Sequence, residues 1–285
     1  MTQMSMSSVF ADVPTDRVRE YWNSRPCNLR HSQAPVGTRE YFDQVEARKY
    51  LVEPHIPGFA QHGRWAGKRV LEIGCGLGTD TINFARAGAS ITAIDLSSRS
   101  LDLARQRAEV FGLADRITFL EADAERLSEY VSPEAYDLVY SFGVIHHSPH
   151  PERILDQLRR HFVGPASTVK LMVYHRYSWK VAMLVLQEAH GAWWRLDEAV
   201  ARQSEAQTGC PVTYSYSRGG FAALLSRHGF SVEEMAVDHI FPYRVKDYVQ
   251  YRYVKAFPFN VLPGPLMRRI ERSLGWHLCV TARPS

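Results

Sequence analysis

The chain has 285 residues, 45% of them hydrophobic and 22% charged, enough for one sizeable core with a smaller layer added to it. A formal net charge of +4 is too small to argue for nucleic acid, although it suits a substrate with some negative charge. Cys27, Cys75, Cys210 and Cys279 lie far apart with no CxxC pair, which favours reduced thiols in a cytoplasmic protein over disulfides or a metal site.

In chain order, the opening MTQMSMSSVFADVPTD lacks a basic stretch followed by an apolar one, so secretion is not expected. Residues 1–65 read as a cap segment, with the polar and aromatic REYWNSRPCNLRHS at its centre; Tyr21, Trp22, Arg25, Arg30 and His31 are its candidates for closing over a site. Pro54, Pro57 and Gly58 mark a hinge into a second unit, 66–285. There, apolar runs at 69–73, 90–94, 117–120, 137–140 and 168–174 alternate with helical patterns at 79–87, 99–111 and 152–162. That alternation implies an α/β fold, a doubly wound parallel sheet covered on both faces. The rhythm breaks at about 175–216 and again at about 241–275, with a helix near 220–228 and strands at 230–240 and 276–282 around the second break. Both interruptions read as cap insertions. The apolar run at 179–196 carries Lys180, Glu188, His190 and Arg195, so it is not a membrane span. With Trp193 and Trp194 it is instead a candidate membrane-surface or homodimer contact.

The first strand leads into VLEIGCGLGTD, from Val70 to Asp80. A dinucleotide fingerprint needs a glycine at position 79, which is Thr79, and a Walker turn needs a following Lys-Ser/Thr pair, which is absent. The pattern is ExGxGxG, starting at Glu72. With Asp95 ending the second strand in ITAIDLS, then EADAERL and YDLVYSFGVIHHSPHP, the chain resembles the class I S-adenosylmethionine-dependent methyltransferases. The likeness is to the small-molecule branch that includes quinone-biosynthesis enzymes, and it covers about 68–174 plus the last helix and two strands. It implies a Rossmann-like seven-stranded sheet with an antiparallel last strand, S-adenosylmethionine as cofactor and S-adenosylhomocysteine as product.

On that resemblance, Glu72, Gly74, Cys75, Gly76 and Gly78 surround the methionyl part, where side chains would block a close backbone approach. Asp95 and Leu96 meet the ribose, whose two hydroxyls a carboxylate can accept; the competing reading of Asp95 is a helix N-cap. Asp123 and Ala124 flank the adenine, and Ser141 and Phe142 line the methionyl side. Methyl transfer needs alignment, exclusion of water and sometimes a base, for which His146, His147, Tyr21 and His175 are candidates. The competing reading of the histidine pair is loop packing. Tyr174, Arg176 and Tyr177 after the fifth strand, and Tyr243 and Arg244 in a basic aromatic insertion, are candidate substrate contacts. The function expected is methyl transfer to N or O of a small polar or aromatic molecule, less readily to carbon. A nucleic-acid substrate is not expected, because SFGV stands where a base-flipping enzyme carries its Pro-Pro-aromatic tetrad. A protein substrate and a non-catalytic cofactor-binding role remain as alternatives. No Asp-Asp-Asn cluster is evident, so no metal is expected.

Overall fold

The computed structural model describes residues 9–188, 200–202 and 209–285. Trp193 and Trp194 lie outside them. The sheet has seven strands: β1 (Arg69–Ile73), β2 (Ser90–Asp95), β3 (Ile117–Glu121), β4 (Leu138–Phe142), β5 (Thr168–Tyr174), β6 (Phe230–Asp238) and β7 (His277–Pro284). Their order is 3-2-1-4-5-7-6, with β1 to β5 parallel and β7 antiparallel to both its neighbours. The strand order reverses between β1, which pairs with β2 on one side, and β4 on the other, the position where open sheets bind ligands.

The helices are α1 (Thr15–Ser24), α2 (Arg39–Val52), α3 (Ile56–Ala60), α4 (Thr79–Arg86), α5 (Ser98–Val110), α6 (Pro151–Gln157), α7 (Trp179–Glu188), α8 (Arg218–Arg227), α9 (Val245–Tyr248) and α10 (Gly264–Leu274). Successive residues of β1 point to opposite faces, so Val70 joins Phe84, Leu101 and Ala104 of α4 and α5, while Leu71 joins Ile154 and Leu155 of α6. Burial on both sides explains why β1 and β5 read as almost unbroken apolar runs. The helix expected over 152–162 is α6 continued by a π-helical turn, Leu158–Phe162. The expected hinge at Pro54–Gly58 is instead mostly α3, with Pro57 in its first turn, where a missing N–H costs nothing.

Two polar clusters fix α2 on this frame. Arg107 of α5 is fully buried and donates to Thr79 Oγ1 (2.7 Å), Glu46 Oε2 (2.7 Å) and the Phe42 carbonyl (3.3 Å), so three helices share one guanidinium. Asp80 of α4 accepts from Lys49 Nζ (2.8 Å), Tyr50 Oη (2.7 Å) and Tyr140 Oη (3.3 Å), joining α2 to β4. Beside it, Glu72 is buried and accepts from Thr81 Oγ1 at 2.6 Å. Burial and then the Asp80 charge push the Glu72 carboxyl up to about 8.

Arg107→Ala should lower stability by about 3 kcal/mol, because it empties a packed site and removes hydrogen bonds to a buried charge; a urea midpoint within error of the parent would exclude that role. Glu72 holds its proton more tightly folded than unfolded, so its contribution is intact below the usual carboxyl value of 4.5 and is lost as pH rises through about 8. The stability advantage of Glu72→Gln over the parent should therefore grow between pH about 5 and about 8.5. An advantage independent of pH would mean that Glu72 is ionised throughout.

Candidate functional site

A cavity of about 720 Å3 opens where β1, β2, β4 and β5 end. Its floor is the turn after β1: Gly74, Cys75, Gly76 and Leu77 line it. Gly74 has a φ of +75°, and a Cβ there would lie 2.2 Å from Val144 Cγ2, so only glycine fits. Gly76, at φ +53°, has nothing within 4 Å of where its Cβ would be, which leaves its backbone open to the cavity. The turn is held to β2 by the Asp95 carboxylate: Oδ2 accepts from the Gly76 amide at 2.8 Å and Oδ1 from the Ser97 amide at 2.9 Å. Burial pushes the Asp95 carboxyl up, while these amide donors pull it down. The N-cap of α5 is Ser97, whose hydroxyl accepts from the Ser100 amide, so Asp95 is not spent on capping. Leu96, Asp123, Ala124 and Phe142 complete this end. Asp123 Oδ1 accepts from the Glu125 amide at 2.9 Å, which orients the carboxylate.

Several expected residues stand elsewhere. Glu72 points beneath the turn into the Asp80 cluster and does not line the cavity. Gly78 starts α4, and a Cβ there would come within 3.2 Å of Ala104 Cβ, so its glycine serves helix packing. The Ser141 side chain is buried off the cavity, because its strand neighbour Phe142 takes the facing position. Cys75 does line it, with burial pushing its thiol well up.

Of the expected bases, only His147 reaches the cavity. Its Nδ1 lies 2.8 Å from the Val212 carbonyl, which can only accept, so Nδ1 carries the proton and Nε2 is the basic nitrogen. His146 is fully buried between His147 (4.2 Å between ring centroids) and Tyr174 (3.9 Å), and burial holds its pKa far below the usual value. His175 is buried off the cavity with Nδ1 3.2 Å from the Gly275 carbonyl. Tyr21 packs edge-on against Trp22, and it is Trp22 that lines the cavity, as does His31, whereas Arg25 and Arg30 do not.

Tyr174 lines the cavity, but Arg176 and the exposed Tyr177 do not. In the second insertion Arg244 is exposed and Tyr243 packs among Phe241, Tyr248 and Tyr253. The wall there comes instead from Phe241, Val245, Tyr248 and Val249. Met183, Leu184, Ile240 and Trp276 continue it, so the end away from the glycine turn is largely apolar.

Sequence reasoning missed the polar groups set into that apolar end: Lys49, Glu53, Lys180, His239 and His277. His239 and His277 lie at the paired ends of β6 and β7, where Asp238 faces His277 in the ladder. Their rings are 4.6 Å apart, and His277 Nε2 is 3.5 Å from Glu53 Oε1. Burial holds His239 down at about 3 and His277 well below its usual value, so both imidazoles are neutral. The alignment of two antiparallel strand ends is the one signal available, but 37 intervening positions hide it in the sequence.

No helix among the described residues is long and apolar enough to cross a membrane. Residues 70–163 match the family described as Methyltransferase domain. The chain is 37% identical over 110 residues to the ubiquinone biosynthesis O-methyltransferase of Paracidovorax citrulli, covering 39% of this chain and 45% of that protein. It is 35% identical over 94 residues to the same enzyme of Nitrosococcus oceani, covering 33% of this chain and 39% of that one. The chain thus spans less than half the length of these relatives. Among solved structures it is similar to magnesium protoporphyrin IX methyltransferase from Synechocystis PCC 6803 with S-adenosylhomocysteine bound, with a TM-score of 0.57, 17% identity and coverage of 95% of this chain and 100% of the other. It is also similar to geranyl diphosphate C-methyltransferase from Streptomyces coelicolor A3(2), with a TM-score of 0.58, 12% identity and coverage of 95% and 98%. At those identities the structures establish the fold, while the match over 70–163 begins at β1 and takes in the glycine turn. Residues 70–163 thus match a methyltransferase domain, set in a seven-stranded sheet with the fold of the S-adenosylmethionine-dependent methyltransferases.

Proposed function

We propose that this chain transfers a methyl group from S-adenosylmethionine to an oxygen or nitrogen of a small molecule with a substantial apolar part. The observation that carries the reading is a cavity in which the Gly74–Leu77 turn and Asp95 lie at one end and an apolar wall set with histidines at the other. The cofactor supplies an electrophilic methyl on a sulfonium, with a neutral thioether as leaving group.

The residues present fit that cofactor. Backbone open at Gly76 admits close approach, and Asp95, its carboxylate already oriented by two amides, keeps lone pairs for the two ribose hydroxyls. Leu96, Asp123 and Ala124 take the adenine side, and Phe142 the methionyl side. Because the thioether needs no proton, this chain's work is to align the acceptor, exclude water and remove a proton where the acceptor has one. Of the expected bases His147 is the one on the cavity wall, and Nε2 is its basic nitrogen. Met183, Leu184, Phe241 and Trp276 would hold an aromatic or prenyl-like body, which suits an O-methyl acceptor of the kind named for the quinone-pathway relatives.

Titration calorimetry with S-adenosylmethionine and S-adenosylhomocysteine should give one site per chain for each, and labelled methyl should pass to an apolar fraction of a metabolite pool. Failure of both ligands to bind would end the reading; binding without any transfer would leave a cofactor-binding protein. Asp95→Ala should weaken S-adenosylhomocysteine by roughly 100-fold, the loss of hydrogen bonds to a charged group, and an unchanged affinity would remove the ribose assignment. His147→Ala should slow turnover while leaving cofactor affinity intact. Equal losses of both would make His147 a packing residue.

A further inference from the structure

We propose that Glu53, His239 and His277 form a binding site for one divalent transition-metal ion of the zinc class, facing the acceptor end of the cavity. The proposal deepens the methyl-transfer reading and rests on it for its purpose, though not for its test. Each of the three residues offers one ligand atom, and these atoms all lie within 4.8 Å of one another. Around a tetrahedral ion with bonds of about 2.1 Å the donors would stand about 3.4 Å apart, so small side-chain rotations bring them into range. Two neutral imidazoles and one carboxylate are the donor set such ions take, with the remaining positions open.

The three donors come from separate parts of the frame. Glu53 caps the C-terminal end of α2, His239 follows β6, and His277 begins β7. Trp276 donates its amide to the His239 carbonyl at 2.7 Å, which holds the two histidine-bearing strand ends together. His239 is itself in the left-handed region, φ +66°, a costly conformation for a residue with a side chain. The His239 ring makes no hydrogen bond among the described residues, although it is 8% exposed. His277 shows the outer partner that a ligating imidazole needs: Nε2 faces Glu53, and Nδ1 lies 3.0 Å from His55 Nε2. Lys49 and Lys180 lie nearby, but Lys49 is matched by Asp80 at 2.8 Å and Lys180 sits over the Trp276 ring at 4.4 Å.

All three ligands line the same cavity as Met183, Phe241 and Trp276, so the open positions face where an acceptor would lie. An acceptor hydroxyl held there would give up its proton more readily, with His147 as the base that takes it. The oxygen then forms its bond to the methyl carbon as the carbon–sulfur bond breaks, and sulfur keeps the electron pair. The expected acceptor thus carries an ionisable hydroxyl or a chelating oxygen pair on an apolar body. Glu53, His239 and His277 form no local motif, which is why no metal was expected from the sequence.

The test uses the untagged full chain, stripped with chelator and titrated with Zn2+ and with Co2+. One ion per chain and the visible bands of a low-symmetry Co2+ site are expected. Glu53→Gln and His277→Gln should each weaken Zn2+ at least tenfold and alter the Co2+ spectrum, whereas His228→Gln, remote in the α8 region, should do neither. Circular dichroism and thermal melting like those of the parent show that the variants are folded. No stoichiometric ion, or an ion bound equally by parent and both folded variants, overturns the proposal. Should the ion bind while neither S-adenosyl ligand does, the metal site stands and the methyl-transfer reading falls.

Discussion

The architecture turns on one buried carboxylate. Asp80 stands at the start of α4, directly after the glycine turn, and gathers Lys49, Tyr50 and Tyr140, with His62 at 3.4 Å. Burial alone would raise its pKa, but the Lys49 ammonium and His62 hold it well below the usual carboxylate range, so it is a permanent anion inside the protein. Removing one partner from such a pair typically costs about 3–5 kcal/mol, which is the sense in which α2 is locked to the sheet. The last turn of α2 carries Lys49 into this cluster and Glu53 into the far end of the cavity. The cofactor half and the acceptor half are therefore positioned by the same helix.

The sheet and the glycine turn were legible because their signals are local. Apolar runs at strand spacing, a turn that excludes side chains, and an acid at the end of β2 each depend on a few neighbouring residues. Side-chain direction was less so. Glu72 and Gly78 belong to the motif by position, yet one faces the Asp80 cluster and the other α5. His146 and His147 are adjacent in sequence, but a short helical turn sends the first into the core and leaves the second on the cavity. The acceptor end was hidden for a different reason. Glu53 and His277 meet only because β7 returns beside β5 and α2 crosses the strand ends, a contact no periodicity encodes.

The basic aromatic insertion has a structural explanation. Arg48 of α2 lies 4.1 Å from the ring centres of both Tyr248 and Tyr251, and its Nη2 donates to the Tyr248 carbonyl at 2.6 Å. An arginine stacked between two tyrosines fastens the insertion to α2 with little exposed charge. Tyrosines that read as a binding surface in the sequence are the inner face of the lid. Beside Tyr248, the insertion lines the cavity with Phe241, Val245 and Val249, all apolar.

The stem of that insertion has its own consequence. Its two ends, His239 and Trp276, are already joined by a backbone hydrogen bond, with β6 and β7 paired beneath them. The segment between can change in length or composition without opening the sheet, since the entropy of closing a longer loop grows only logarithmically. The chain thus separates inheritance from invention: a fixed frame carries the glycine turn and Asp95, while a replaceable arch above it can be rewritten to fit another acceptor. The two residues at the foot of the arch, His239 and Trp276, belong to both.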